Sequence, residues 1–72
     1  PFAMNPSFFV WASRSNGETV FLVQSGGDWR MVPAAMSLAI QFPSRREANQ
    51  AKRLMASRFA GLSFHSCRAI GA

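Results

Sequence analysis

The sequence has few of the side chains that catalysis depends on. Its 72 residues include one Cys, one His, three Asp plus Glu, and no Tyr. Because active sites bring several titratable groups together, this composition argues against an enzyme, and it predicts neither a cofactor nor a metal site. The single Cys67 cannot form a disulfide within the chain, which favours a reducing, cytoplasmic location.

Long hydrophobic runs are also missing. No apolar stretch approaches the roughly 20 residues needed to cross a bilayer, so a membrane partner is not expected. The N-terminus lacks the basic segment and sustained apolar run of a signal peptide. Met4 is a candidate initiator, and residues 1–6 are predicted to be disordered or not to belong to the native protein. The chain is predicted to form one domain over residues 1–72.

Apolar and basic residues dominate what is present. Hydrophobic residues make up 49% of the chain, and the net charge is +5. Such a sequence is too apolar to remain disordered, so it should fold. Its positive charge makes an acidic partner the first expectation.

Two strands are predicted around an Asn-Gly turn. Residues 7–13 and 19–24 are rich in β-branched and aromatic side chains, and they flank Asn16-Gly17. Asn-Gly is typical of a two-residue type I′ turn, which would place Trp11 opposite Leu22. Both faces of this hairpin are then apolar. One face would carry Phe9, Trp11, Val20 and Leu22, and the other Phe8, Val10, Ala12, Phe21 and Val23.

One helix can cover only one of these faces. The second is covered either by loops or the N-terminal segment, or by a partner, including a second copy of the chain in a homodimer. The sequence leaves these alternatives open.

The rest of the chain predicts one more turn, a helix and further strands. Gly26-Gly27-Asp28 should turn into a third strand over 29–32, ended by Pro33. Residues 33–42 are ambiguous: apolar residues alternate as in a strand, but the segment's start could turn helically. Residues 62–70 alternate again and predict a closing strand.

Ser44 and Glu47 form a capping box that predicts a helix over 45–60, ended by Gly61. Its predicted core stripe consists of Ala48, Ala51, Met55 and Phe59. The predicted fold class is therefore α+β. A three- to four-stranded antiparallel sheet, built from the N-terminal hairpin and a meander, carries one helix on one face and a C-terminal strand after it.

The basic residues form the most informative pattern. Seven of the eight are Arg, whose planar guanidinium suits carboxylate and phosphate groups. Four lie on one side of the predicted helix, away from its apolar stripe; this side is either a solvated surface or a binding surface. The predicted partner-binding residues are Arg45, Arg46, Lys52, Arg53, Trp11, Trp29 and Arg30.

His65 and Cys67 lie two residues apart, so in a strand their side chains share a face. A structural role is favoured, because two ligands are too few for a zinc site and no orienting third group is evident. A small hydrolase built on this pair is a third, weaker hypothesis.

The turn at Asn16-Gly17 and the segment Ile40-Gln41-Phe42-Pro43-Ser44-Arg45-Arg46-Glu47-Ala48 give the chain a layout that resembles small accessory proteins of phages and mobile elements, including some anti-CRISPR inhibitors. The resemblance implies action without catalysis, by occupying a surface of a host nucleoprotein complex. No functional residue carries over, because that group shares no common motif.

The leading hypothesis is a small non-enzymatic binding module that engages a protein or nucleoprotein complex with an acidic surface, as a phage-type inhibitor would. The alternative is a protein that binds nucleic acid directly, using the arginine-rich helix face and exposed aromatic rings.

Overall fold

The computed structural model describes residues 7–33 and 35–69. The predictions for residues 1–6 and for the strand position Ile70 lie outside the described residues. The elements in chain order are β1 (Ser7–Ser13), β2 (Thr19–Ser25), β3 (Asp28–Pro33), a 3₁₀ turn η1 (Met36–Leu38), α1 (Arg45–Arg58) and β4 (Ser63–Ala69).

The four strands form one antiparallel sheet in the order β3-β2-β1-β4. The helix α1 packs on one face of this sheet, against β1 and β4. The predicted fold class is confirmed: the protein is a small α+β domain with a single helix and a C-terminal strand.

The predicted register of the first hairpin is wrong by one residue. Trp11 lies opposite Phe21 rather than Leu22. The backbone N–H of Gly17 donates to the Arg14 carbonyl at 2.9 Å, and Gly17 has a φ of 89°. Asn16-Gly17 therefore occupies the end of a longer turn, with a left-handed residue after a type I-like bend, instead of the centre of a two-residue turn.

This shift exchanges the faces of β2 relative to β1, because side chains alternate along a strand. Val20 and Leu22 now share the α1 side of the sheet with Val10 and Ala12, and all four are buried. Phe21 instead joins the opposite face, beside Trp11. The type I′ geometry predicted for Asn16-Gly17 fits Gly26-Gly27 better, since both have positive φ and join directly paired strands.

The ambiguous segment 33–42 contains features of both predicted conformations. It begins with the turn η1 and then forms two isolated bridges, Ala39 with Val23 and Phe42 with Phe8. The Phe8 and Phe42 backbones exchange hydrogen bonds of 2.9 and 2.7 Å. Residues 39–42 therefore lie between β1 and β2 where these two strands diverge.

The helix begins as predicted and ends two residues early. The Ser44 hydroxyl accepts a hydrogen bond from the Glu47 backbone N–H, at 3.2 Å, and so caps α1. Ala48, Ala51 and Met55 are buried, as the stripe predicts. The prediction that Phe59 belongs to this buried stripe is wrong: its backbone leaves the helical conformation, and the residue is 40% exposed.

The core lies between α1 and the sheet. Its buried cluster is completed by partly buried hydrophobic side chains around it. The cluster consists of Val10, Leu22, Phe42, Ala48, Ala51 and Met55. On the opposite face, the segment 35–39 supplies partial cover, because Ala35 and Ala39 are buried and Met36 lies beside Phe9 and Phe21. Part of the second apolar face is thus covered by a loop, one of the two alternatives left open by the sequence.

Candidate binding surfaces

The exposed arginines near the start of α1 form the first candidate surface. Arg45, Arg46 and Arg53 line one shallow pocket together with Asn49 and Gln50. We call these three arginines the α1 basic surface. All three residues are exposed; Arg46 and Arg53 lie on the side of α1 away from its buried stripe, and Arg45 lies at the edge of that side, next to the sheet.

The Arg45 guanidinium lies over the ring of Phe8, with 5.0 Å between its Cζ and the ring centroid. A cation in this position is attracted to the π face, which fixes the side chain against the sheet. Arg46 and Arg53 have no aromatic ring or carboxylate partner within residues 7–33 and 35–69, so their guanidinium groups are available to a partner.

Acidic groups do not neutralise the α1 basic surface. Across residues 7–33 and 35–69, the one salt bridge joins Arg14 Nε to Glu18 Oε1, at 3.0 Å. Glu47 is engaged at the helix cap, where the Ser44 hydroxyl donates to its carboxylate at 3.3 Å. The arginines of this surface therefore present uncompensated positive charge to an approaching ligand.

Lys52, the fourth basic residue predicted on this face, is half-buried and does not line the pocket formed by the three arginines. Three residues before it, the Asn49 Oδ1 atom accepts a hydrogen bond of 2.7 Å from the Ser66 hydroxyl of β4. Residues three or four apart share one side of a helix, so Lys52 and Arg45 flank this contact with the last strand.

The two tryptophans do not join the α1 basic surface. Trp11 is half-buried on the opposite face of the sheet and stacks on the His65 ring, with centroids 4.4 Å apart. Trp29 lies on the α1 side, half-buried, and packs edge-on against Phe42 at 5.9 Å. The predicted site is therefore divided: its helix arginines lie on the α1 side of the sheet, whereas Trp11 and, by strand alternation, Arg30 lie on the opposite face.

Arg30 is exposed on β3, at the edge of the sheet farthest from β4. It lines a pocket with Arg14, Met31 and Phe59, together with the loop after α1. This pocket is separate from the one lined by the α1 basic surface.

A second candidate surface lies on the face of the sheet opposite α1. Trp11 is the direct neighbour of His65 on β4 and of Phe21 on β2, so three rings form a row across adjacent strands. Met36 and Leu38 of η1 lie at 60% and 71% exposure. We call these five residues the aromatic face.

His65 and Cys67 both lie on β4 and are exposed. The imidazole is stacked on Trp11 rather than turned toward a carboxylate. Within the described part of the chain, no group of three or more His, Cys, Asp or Glu side chains is placed to hold a metal ion. No helix in that part has the length and hydrophobicity to cross a bilayer.

Arg68 belongs with the basic residues but was not predicted as part of the site. It pairs with Phe8 across β1 and β4, which places it on the α1 side of the sheet, the side from which Arg45 covers Phe8. Only the pairing of β4 with β1 reveals this neighbourhood, and no local sequence signal encodes it.

Comparison with known proteins gives no further guide: no family model, curated protein or solved structure matches this chain.

Proposed function

We propose that the protein is a non-enzymatic binding module that holds an acidic macromolecule against the α1 basic surface. The observation that carries the proposal is the grouping of three exposed arginines with no ion pair to any described residue. Arginine guanidinium groups bind carboxylates through paired hydrogen bonds and tolerate partial desolvation at interfaces better than lysine does.

An acidic protein surface suits this arrangement better than single-stranded nucleic acid. Base stacking beside the arginines would require accessible rings on the same side of the molecule. Trp11 lies on the other face, and Trp29 packs against Phe42. The inhibitory role implied by the resemblance to phage accessory proteins stays a prediction.

The test compares two double variants with the same net charge. Arg46→Gln/Arg53→Gln removes charge from the α1 basic surface, whereas Arg14→Gln/Arg58→Gln removes it elsewhere. Arg45 is kept because it also packs on Phe8. Fluorescence anisotropy with labelled oligoglutamate should show affinity reduced about tenfold in the first variant and within about twofold of wild type in the second.

Equal losses in the two variants would mean that net charge alone drives the interaction, and the proposal would be wrong. Mixed-sequence DNA and RNA serve as competing probes. If either binds more tightly than oligoglutamate and loses orders of magnitude in affinity between about 50 and 200 mM salt, the nucleic-acid alternative replaces the proposal.

The aromatic face favours a second candidate function, self-association. Met36 borders a pocket with Trp11 and Phe21, and both Met36 and Leu38 of η1 are exposed; an apolar surface of this kind is typical of an interface. We expect sedimentation velocity at high micromolar concentration to detect a homodimer. Met36→Ser/Leu38→Ser should weaken it by at least about tenfold, because two large apolar side chains lose their burial. A wild-type protein that sediments as a monomer would exclude this candidate.

A further inference from the structure

Among the residues that the structure describes, the last strand, β4, has no strand on its outer side. It is the terminal strand in the order β3-β2-β1-β4, and all seven of its residues pair in continuous register with β1. An edge strand carries a row of unpaired backbone donors and acceptors, and a partner's extended segment can add to it as a new strand.

The hydrogen bonds of β1 identify which β4 groups face outward. The Phe8 backbone N–H and C=O both bond to Phe42, on the side of β1 away from β4. Since the N–H and C=O of successive residues point to alternate sides of a strand, Phe9 and Trp11 point toward β4. Their partners Cys67 and His65 are therefore the hydrogen-bonded positions of β4. The backbone groups of Phe64, Ser66 and Arg68 point away from the sheet and have no strand partner among the described residues.

The opposite edge is less suited to accept a strand. By the same alternation, Trp29, Met31 and Pro33 are the outward positions of β3. Pro33 has no backbone N–H to donate, and Pro at an edge is one of the features that prevent strand addition. No proline occurs in β4.

The charged side chains around β4 indicate which kind of peptide strand its edge would bind. Arg68 lies on its α1 side, and Arg45 and Lys52 flank the Ser66–Asn49 contact from the helix. The other face of β4 carries Ser63, His65 and Cys67, with no carboxylate among them. A fifth strand would therefore meet basic groups on one face and uncharged or weakly basic side chains on the other.

We propose that the β4 edge binds an extended acidic peptide segment of a partner protein as a fifth strand, with its carboxylates on the α1 side. The inference rests on the proposed function, since it specifies how the acidic partner is held. Backbone hydrogen bonds to Phe64, Ser66 and Arg68 supply the pairing, and the basic side chains select alternate acidic residues. A second copy of this chain is disfavoured at this edge, because β4 carries Arg68 and no carboxylate, so pairing two β4 edges would bring basic side chains together with no acidic group between them.

The experiment uses a peptide in which Thr and Glu alternate, so that all carboxylates lie on one face of a strand. Its control is the same peptide N-methylated at every residue, which keeps the charge and removes the N–H donors along both edges. We expect the unmodified peptide to bind at least about tenfold more tightly than the N-methylated form. In the wild-type complex, amide hydrogen exchange should slow at Phe64, Ser66 and Arg68.

A matched pair of variants tests the edge from the protein side. Ser66→Pro removes an outward N–H without removing a hydrogen bond to β1, and Ser66→Ala removes only the hydroxyl that contacts Asn49. Ser66→Pro should reduce peptide binding at least about tenfold, and Ser66→Ala should stay within about twofold of wild type. Circular dichroism measures whether both variants fold. If Ser66→Pro does not fold, the amide exchange of the wild-type complex decides whether the peptide pairs with β4.

The two proposals fail in different ways. Oligoglutamate binding that depends on Arg46 and Arg53, combined with equal affinity for the methylated and unmodified peptides, overturns the edge inference alone. Absence of binding to any acidic probe overturns both. Unchanged amide exchange at the three outward positions, or a dimer that Ser66→Pro abolishes, also overturns the edge inference.

Discussion

Leu22→Ala is expected to lower the free energy of unfolding by about 3–5 kcal/mol. Leu22 is fully buried in the central strand β2, and it belongs to the cluster formed with Met55 and Val10. Its truncation loses both the burial of the side chain and the contacts around the cavity that remains. A domain of this size rarely has more than about 3–5 kcal/mol of stability from its core, so the variant should be largely unfolded at room temperature.

Urea denaturation followed by circular dichroism measures this effect, with Leu54→Ala as the matched control. Leu54 undergoes the same chemical change on α1, but it is 46% exposed. Its loss should stay below about 1 kcal/mol. Comparable losses in the two variants would contradict the assignment of Leu22 to the centre of the core.

The helix was predictable because its signals are local. Ser44 and Glu47 define its start, and the spacing of Ala48, Ala51 and Met55 defines its buried side. Its end was less predictable, because the chain leaves the helix at Phe59 before it enters β4. The direction of that exit depends on where β4 lies in the sheet, which no residue near Phe59 specifies.

The strands were predictable as segments but not in their register. Asn16-Gly17 is compatible with both a two-residue turn and the longer turn that forms, and the two place β2 on opposite faces. The observed register buries Leu22 in the same cluster as Met55 and leaves Phe21 beside Trp11. Because both faces of the hairpin are apolar, hydrophobic alternation could not distinguish these arrangements.

The parts of the candidate sites that lie within one element could be predicted from the sequence, and the parts that depend on how elements pack could not. Arg46 and Arg53 belong to one helix, so its 3.6-residue period was enough to place them together. The separation of Trp11 from these arginines depends on which face of the sheet the helix covers. The outward groups of β4 depend on its pairing with β1, between residues at least fifty positions apart.

Ala48→Leu is expected to destabilise the domain by about 1–3 kcal/mol, and by more if α1 cannot move. Ala48 is fully buried in the cluster between α1 and the sheet, near the capped start of the helix. Its small side chain allows the helix to lie close to the sheet, and the added atoms have no space in a packed interior. The helix must then shift, which also disturbs the neighbouring contacts of Ala51 and Phe42.

Ala56→Leu on the same helix is the control for Ala48→Leu. Ala56 is exposed, and Leu has nearly the helix propensity of Ala, so its effect should lie within about 0.5 kcal/mol. Thermal and urea denaturation measure both variants. Because propensity changes equally in the two, the difference between them isolates the overpacking of the interface between helix and sheet. If Ala48→Leu proved as stable as Ala56→Leu, the close contact of α1 with the sheet at this position would be wrong.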